Sequence, residues 1–586
     1  MVMMFQERAI DRQFAAFICN QTPGKSSDVF RLVVALVSSA VGKGNICLNL
    51  EDIAGQTVYV DGKDIVLPEL DVVLAMLRSM PTVGLPGEHK PLVLDTCGRL
   101  YLYRYWRYEQ QLAEIILRKT FSVVEGIDET VLQAGLERLF PKRDDEKSDR
   151  QKEAASVALH KQFCVISGGP GTGKTSTVVR ILALLLEQEG GRKLRIAMAT
   201  PTGKAAVRLK NSVNDIRRSL DCPEEVRVAI PDEVVTIQRL LGSLSGSSRF
   251  RHSARNPLPF DVIIIDEASM VALPLMTALV EAIKPNARLI LLGDKDQLAS
   301  VEAGAVLGDI CNAGEGSDGT RLTASVVKLE KNYRFQAGSG IGEISWAVNA
   351  GLDIDALEIL KSNTRKGISW NKLPESNELM RMLAQKVVEG YQGYLEAESA
   401  SEALERFDRF RILCALRDGP YGVSRLNTVT ESILGKAGLI SPDSSRYRGR
   451  PIMITVNDYS IRLFNGDTGI LFPEPESGGT LKAFFPDLDG GLRSIPVERL
   501  PLHETAFAMT IHKSQGSEFD QILMLLPPGD SNLITRELIY TGITRGKTFV
   551  EIWANEVAFC AGVRKKTERH SGLRDVLEFN SPLSFS

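Results

Sequence analysis

A glycine-rich loop, Gly168-Gly-Pro-Gly-Thr-Gly-Lys-Thr175, restricts the fold of this chain more than any other feature. It follows an apolar run, Phe163 to Ile166, and precedes a segment of helical character that continues to Leu186. A loop between a strand and a helix can surround a phosphate group with inward-pointing backbone N–H groups. The loop therefore predicts an α/β unit built on a parallel sheet with helices on both faces.

The residue types of the loop favour a triphosphate over a dinucleotide. Lys174 and Thr175 follow the last glycine, so an ammonium can reach the β and γ phosphates of ATP and a hydroxyl can reach Mg²⁺. The alternative, a glycine-rich turn with a chance lysine, does not explain the strand–loop–helix context. We expect ATP to be bound by the loop and the residue after it, namely Gly168, Gly169, Pro170, Gly171, Thr172, Gly173, Lys174, Thr175 and Ser176.

A second apolar strand, Val262 to Ile265, ends in two carboxylates. Open α/β sheets bind ligands at that end of their strands. We expect Asp266 to hold Mg²⁺, and Glu267 to orient and deprotonate the attacking water. An isolated Asp-Glu pair after a strand more commonly caps a helix, but the phosphate loop beside it favours the catalytic interpretation.

Other apolar runs extend this pattern into two α/β units in tandem. Two further strands of the first unit are predicted at Arg195–Met198 and Leu289–Leu292. Strands of a second unit are predicted at Val326–Leu329, Arg411–Ala415, Gln521–Leu525 and Phe549–Trp553. From Arg450 to about Leu500 the strands alternate with glycine turn signals, which predicts a small antiparallel β insert.

The bulk composition narrows the functional classes. The 586 residues carry a net charge of -3, so nucleic-acid binding would have to use local clusters of Lys and Arg. None of the eight cysteines forms a C-x-x-C pair, which argues against zinc and iron–sulfur sites. The run from Phe30 to Val41 is too short to span a bilayer and predicts a core helix. With no secretory pattern at the N-terminus, we expect a cytoplasmic protein without a membrane partner.

Three polar residues beyond the carboxylate pair predict that ATP drives a movement. Gln297 ends another strand in Leu292-Gly-Asp-Lys-Asp-Gln-Leu298, where it can sense the γ-phosphate. The segments Asn332-Tyr-Arg-Phe335 and Tyr540-Thr-Gly-Ile-Thr-Arg-Gly-Lys547 each place an arginine in the second unit, by the strand grouping above. Phosphoryl transfer gains most from an arginine that enters when the site closes. Arg334 and Arg545 are therefore expected to make closure depend on ATP.

The order of these motifs resembles that of superfamily 1 helicases, which also carry segments like Thr200–Ala206 and Ala508–Phe519. Three further segments resemble the RecD branch in particular: Arg99–Glu109, Leu413–Pro420 and Gly449–Tyr459 with Phe464–Asp467. The resemblance is strongest from Gln151 to Lys547. It implies an α/β protein with tandem RecA-like P-loop NTPase domains, a mainly helical N-terminal domain and a small SH3-like β insert.

The resemblance also implies domain bounds. Residues 1–140 form a partner-docking domain and the charged residues 141–150 a linker, for which a metal cluster is the alternative. Residues 151–345 form the first motor domain, with a duplex-splitting pin at 242–259. Residues 346–586 form the second, with the SH3-like insert at about 450–500. These bounds put Val326–Leu329 in the first domain, whereas the strand grouping put them in the second.

Site residues are carried over from the same resemblance. Gln151 matches the residue that reads adenine, and Glu518 an acidic residue near the ribose. Gln297, Arg334 and Arg545 match γ-phosphate contacts. Positions that grip single-stranded DNA across both motor domains are matched by Thr202, Lys204, Thr510 and His512. Two positions depart from the family pattern: Gln238 replaces a more usual histidine, and Gly546 a more usual alanine.

The function implied is ATP-dependent 5′→3′ translocation on single-stranded DNA from duplex ends. It would take place in a heterotrimer with RecB-like and RecC-like subunits, for recombinational repair of double-strand breaks, with no nuclease site in this chain. A stand-alone RecD-like helicase and a non-catalytic ATP-binding scaffold are the alternatives. The aromatic segment Tyr101–Tyr108 could stack bases, but its spacing favours a half-buried strand that runs into a helix.

Overall fold

The computed structural model describes residues 2–22, 27–141, 149–188, 194–244, 247, 249–316, 322–335, 338–362, 365–441, 445–458, 460–474, 478–487, 491–529 and 533–578. Residues 142–148 of the predicted linker lie outside these residues, and so does part of the predicted pin.

The N-terminal region combines two small sheets with helices. Its strands are β1 Val2–Met4, β2 Cys47–Asn49, β3 Thr57–Val60, β4 Lys63–Val66, β5 Val83–Gly84, β6 Leu92–Leu94 and β7 Arg99–Leu102. Its helices are α1 Ala9–Asn20, α2 Asp28–Gly42, α3 Leu70–Ser79, α4 Tyr103–Phe121 and α5 Glu129–Leu139. The sheets have the orders β1-β3-β4 and β2-β7-β6-β5. Helix α2 confirms the predicted core helix, and β7 runs directly into α4 as the aromatic spacing predicted.

The first motor unit is a six-stranded parallel sheet of order β10-β9-β11-β12-β8-β13. Its strands are β8 Phe163–Gly168, β9 Ile196–Thr200, β10 Val234–Thr236, β11 Val262–Ile265, β12 Arg288–Gly293 and β13 Val326–Leu329. Its helices are α6 Arg150–His160, α7 Lys174–Gln188, α8 Gly203–Ser219, α9 Glu224–Ala229, α10 Ile237–Leu241, α11 Leu273–Glu281 and α12 Val306–Gly314. Alternate residues of β11 enter two separate cores, so both faces of the sheet are covered.

Strand β13 corrects the sequence-based grouping of the strands. Val326–Leu329 pair in parallel with β8, from Val326 opposite Val165 to Leu329 opposite Gly168. They therefore form the edge of the first sheet beside the glycine-rich loop, and their assignment to the second unit was wrong. A four-residue apolar strand fits either sheet, and its partner is chosen by contacts far apart in the chain.

The second motor unit is a five-stranded parallel sheet of order β14-β23-β22-β15-β21. Its strands are β14 Ile368–Lys372, β15 Phe410–Cys414, β21 Ala508–Thr510, β22 Phe519–Leu525 and β23 Gly546–Ala554. Its helices are α13 Gly340–Ala350, α14 Asp353–Lys361, α15 Leu379–Leu395, α16 Ala400–Phe407, α17 Val423–Lys436, α18 Arg536–Ile543 and α19 Glu556–Arg564; a last helix, α20 Leu573–Glu578, follows them.

An antiparallel sheet interrupts this unit, as predicted. Its strands are β16 Pro451–Ile454, β17 Thr468–Glu474, β18 Thr480–Pro486, β19 Leu492–Pro496 and β20 His503–Thr505. They lie in the order β19-β18-β17-β16-β20 around a small core of their own. The SH3-like character of the insert stays a prediction from resemblance.

Helix α4 of the N-terminal region and the last helix, α20, pack together on the first motor unit. Helix α4 packs against α11, and its residues Trp106 and Leu112 belong to the core of the first sheet. Helix α20 packs against α12 and α4, so the chain returns from the second unit to the first. Among the described residues, no helix combines the length and apolar character needed to cross a membrane.

Candidate functional site

The glycine-rich loop lies at the carboxyl edge of the first sheet, between β8 and α7. Gly171 and Gly173 both have φ +82°, in the left-handed region that favours glycine. A Cβ on Gly171 would lie 2.5 Å from the Cβ of Arg334, so a larger residue does not fit. The Lys174 ammonium donates to the carbonyls of Gly168 at 2.6 Å and Gly169 at 3.0 Å. The lysine thus points into the concave side of the loop.

Two carboxamides hold the loop from outside. Gln151 is buried, donates from Nε2 to the carbonyl of Thr172 at 3.0 Å, and accepts from Arg180 at 3.1 Å. Asn332 donates from Nδ2 to the carbonyl of Pro170 at 2.7 Å. The predicted adenine contact therefore lies beside the loop, and Asn332 is a support that sequence analysis did not single out.

The two carboxylates emerge at the end of β11. Asp266 accepts a hydrogen bond from the backbone N–H of Glu267 at 2.8 Å. Burial raises the pKa of Asp266 to about 6, the charge of Glu267 adds to the rise, and Lys174 opposes it. Glu267 has φ +53°, which is uncommon for a residue with a side chain and occurs most often at functional sites.

A chain of hydrogen bonds crosses the cleft between the two motor units. Arg545 of the second unit is 2% exposed and donates from Nη2 to Oε1 of Gln297 at 2.8 Å. Gln297 donates to Oδ2 of Asp294 at 3.0 Å, and the Tyr540 hydroxyl donates to the same oxygen at 3.0 Å. Burial raises the pKa of Asp294 to about 6, against the opposing charge of Lys174. The predicted phosphate sensor and the predicted arginine are therefore in direct contact.

Arg334 lies on the loop side of this cleft. It follows β13 of the first sheet, so its predicted position on a different unit from Lys174 was wrong. Its Nη2 donates to Oε1 of Glu518, in the second unit, at 2.7 Å. Its Nη1 is buried and has no hydrogen-bond partner within the described part of the chain. A guanidinium that is partly exposed, with one buried donor atom left without a partner beside the loop, fits an anionic ligand.

The predicted DNA contacts occupy two places. Thr510 and His512 line a cleft of about 320 Å³, together with Arg417 and Lys513 of the second unit and exposed Val301 of the first. Burial and the charge of Arg569 lower the pKa of His512, which favours the neutral ring.

Thr202 and Lys204 lie elsewhere, at the start of α8. The Thr202 hydroxyl caps this helix by accepting from the N–H of Ala205 at 3.3 Å. The Lys204 ammonium lies 5.4 Å from the centre of the Phe519 ring. The four predicted contacts thus form two pairs, one at the start of α8 in the first unit and one at the end of β21 in the second.

Family models match three parts of the chain. Residues 7–101 match the N-terminal domain of the RecBCD enzyme subunit RecD, residues 151–303 an AAA domain and residues 505–550 the UvrD-like helicase C-terminal domain. The RecBCD enzyme subunit RecD of Mycolicibacterium smegmatis is 40% identical over 93% of this chain and 92% of its own length. The RecBCD enzyme subunit RecD of Haemophilus influenzae is 36% identical over 82% of this chain and 80% of its own length. This chain belongs to the RecD family.

Other proteins are similar at lower identity. The ATP-dependent RecD2 DNA helicase of Deinococcus radiodurans is 28% identical over 81% of this RecD-family chain and 58% of its own length. A solved structure of the Pif1 helicase from Bacteroides, in complex with ADP-AlF3 and single-stranded DNA, is 16% identical. It covers 72% of this chain and 95% of its own, with a TM-score of 0.39.

The structure explains one of the two departures from the RecD pattern. A Cβ on Gly546 would lie 2.5 Å from Cγ2 of Val550, so the alanine usual at this position would force Val550 to move. For Gln238, in α10, nothing in the structure explains the exchange for histidine. In the predicted pin, bridges join Ser243 to Phe250 and Ser253 to Asn256; its role stays a prediction.

Four residues that lie at this RecD-family site were not predicted as site residues from the sequence. Asp294 lies in the Leu292–Leu298 segment and Tyr540 begins the Tyr540–Lys547 segment, so their places after β12 and in α18 could have been recognised. Asn332 also lay in a quoted motif, next to Arg334. Arg208 gave no signal, because a polar residue on an amphipathic helix more commonly faces solvent.

Proposed function

We propose that this chain is the ATP-driven DNA motor subunit of a RecBCD-type helicase–nuclease, acting in recombinational repair of double-strand breaks in the cytoplasm. The observation that carries the proposal is that two arginines, the partly exposed Arg334 beside the phosphate loop and the buried Arg545 of the second unit, lie at the cleft between the units. Arg334 lies on the loop side of the cleft, where its Nη1 donor has no partner among the described residues. Arg545 belongs to the second unit and donates a hydrogen bond to Gln297. Only a ligand bound between the units can engage both, which is the arrangement of a motor.

The residues present fit ATP with Mg²⁺. Lys174 would lie against the β and γ phosphates, and Gln151 beside the adenine. Thr175 and Asp266 offer a hydroxyl and a carboxylate, the oxygen ligands that Mg²⁺ prefers, and a cation would stabilise the charged form of Asp266. The ion would neutralise charge that develops on the phosphates. Glu267 would align water and accept its proton.

The comparisons favour a subunit over a stand-alone helicase. The mycobacterial RecD subunit is aligned over 92% of its length, whereas the RecD2 helicase is aligned over 58% at lower identity. We therefore propose RecB-like and RecC-like partners and movement from 5′ to 3′. Single-stranded DNA would pass over the two pairs of predicted contacts, Thr202 with Lys204 and Thr510 with His512.

Two measurements test the proposal. Lys174→Gln should abolish DNA-stimulated ATP hydrolysis, because the phosphates lose their cation, while Lys63→Gln, an exposed lysine on β4, should not change it. The purified chain with its partners should open duplexes with a 5′ tail and leave 3′-tailed duplexes closed when RecB-type activity is inactivated. Unchanged turnover in Lys174→Gln would refute the ATP site, and preference for the 3′ tail would refute the polarity.

A further inference from the structure

Helix α8 physically connects the predicted DNA contacts with the nucleotide cleft. Thr202 caps the helix and Lys204 lies in its first turn. Arg208 follows Lys204 by four residues, so both side chains lie on the same face of the helix. Because a helix of this length moves as one body, a displacement of its N-terminus carries Arg208 with it.

Arg208 reaches a carboxylate on the opposite motor unit. Its Nη2 forms an ion pair with Oε1 of Glu518, the oxygen that also accepts from Nη2 of Arg334 at 2.7 Å. The Glu518 side chain is 11% exposed, against 38% for Arg208 and 23% for Arg334. Burial acts to raise the pKa of Glu518, but the charges of Arg208 and Arg334 hold it below its usual value. One charged oxygen is thus shared by two arginines.

The charge of Arg208 also affects the pKa of a basic residue in each motor unit. Burial lowers the pKa of Lys204, and the like charges of Arg411 and, to a smaller extent, Arg208 lower it further, against the opposing charges of Asp408 and Asp467. The same holds for Arg545, whose pKa is lowered by burial and, in part, by Arg208. Arg208 therefore lies within electrostatic reach of one predicted DNA contact and one predicted γ-phosphate contact.

We propose that Arg208 is a positioning residue that couples DNA binding at the start of α8 to the release of Arg334 for the γ-phosphate. The inference rests on the proposed function. DNA that engages Thr202 and Lys204 sets the position of α8, and with it the hold of Arg208 on Glu518. When Arg208 satisfies this carboxylate, Arg334 can exchange it for a phosphate oxygen. Without Arg208, the buried carboxylate retains Arg334 as its partner.

The test compares Arg208→Gln with Arg218→Gln. Arg218 lies on the same helix with a side chain that is 80% exposed, so it is the matched control. In Arg208→Gln, we expect DNA-stimulated turnover to fall about tenfold more than DNA-free turnover, the loss typical of one charge-assisted hydrogen bond. Affinity for single-stranded DNA and for fluorescent ADP should stay near that of the wild type. Arg208→Lys keeps the charge and should restore part of the stimulation.

The outcomes separate the inference from the proposed function. A wild-type chain whose ATPase does not respond to DNA would refute the proposed function. A wild-type chain that responds, with Arg208→Gln responding by the same factor, would overturn only the role of Arg208. An equal fall of DNA-free and DNA-stimulated turnover would do so too, since it would make Arg208 part of the ATP site alone. If Arg208→Gln does not fold, Arg208→Lys gives the decision: full wild-type stimulation overturns the role of Arg208, and a reduced ratio of DNA-stimulated to DNA-free turnover supports it.

Discussion

Glu109 of helix α4 fastens the C-terminal segment to the N-terminal region, and we predict that this attachment weakens as the pH rises. Glu109 is 1% exposed. Its Oε2 accepts from the N–H of Gly572 at 2.9 Å and from the hydroxyl of Ser571 at 3.0 Å. Burial raises the pKa of Glu109 to about 7, despite these two donors and the charge of Arg99. The proton is thus held more tightly when the segment is attached than when it is free.

The size of the effect follows from the two pKa values. In a detached state Glu109 would return to its ordinary pKa of 4.5, against about 7 when attached. The attached state is stabilised fully below pH 4.5, and this contribution is lost as the pH rises through 7. Between pH 5 and pH 8 the loss is ~2.5 kcal/mol, a change of roughly 70-fold in the detachment equilibrium. Half-buried Asp309, whose pKa is also raised to about 7 by desolvation, acts in the same direction.

Hydrogen exchange of the amides in α20, corrected for the intrinsic pH dependence of exchange, measures this equilibrium. Protection should decrease from pH 5 to pH 8 in the wild type. Glu109→Gln keeps a hydrogen-bond acceptor but has no titrating proton. The amides of α20 should therefore stay protected at pH 8, except for the smaller loss of protection that Asp309 causes. Glu114→Gln, an exposed position on the same helix, is the control. Equal protection of the wild type at both pH values, or a Glu109→Gln chain that behaves like the wild type, would refute the reasoning.

Two further predictions concern the nucleotide site. Glu267→Gln should bind a fluorescent ATP analogue normally and release phosphate at least ~100-fold more slowly, since general-base catalysis is lost; failure to bind would make Glu267 a structural residue. Tyr540→Phe removes the hydroxyl that donates to Asp294 at 3.0 Å. The pKa of Asp294 should then rise above about 6, and the acidic limb of the ATPase pH profile should shift to higher pH. A limb at an unchanged pH would contradict a role for Asp294 in holding Gln297.

The local parts of the site could be predicted from the sequence because local geometry determines them. The phosphate loop needs glycine at two left-handed positions and a lysine at the start of a helix, and both requirements are readable at Gly171, Gly173 and Lys174. The carboxylates Asp266 and Glu267 follow a strand that is apolar throughout, so their place at the sheet edge was also readable. A short apolar run likewise identified α2, and alternating strands with turn signals identified the antiparallel insert.

The remaining features depend on contacts between distant parts of the chain. Val326–Leu329 carries the pattern of a strand, but its pairing with Phe163–Gly168 is decided by packing across about 160 residues. The return of α20 to α4 depends on Glu109, Ser571 and Gly572, which no local pattern connects. The same holds for Arg208, whose partner Glu518 lies 310 residues away.

The corrected position of Arg334 changes how ATP can drive closure. Since Arg334 follows the edge strand of the first sheet, its distance from Lys174 is set within one unit. Arg545 is the arginine whose approach depends on the cleft, and it is held there by Gln297. The Nε and Nη1 of Arg545 donate to the carbonyls of Thr541 and Ser517, each at 3.2 Å. A buried donor without a partner is costly, so Nη2 would leave Gln297 in exchange for another acceptor. A γ-phosphate is such an acceptor. We therefore propose that closure is an exchange of partners at Arg545, while Arg334, on the first unit, is bonded to the carboxylate that it shares with Arg208.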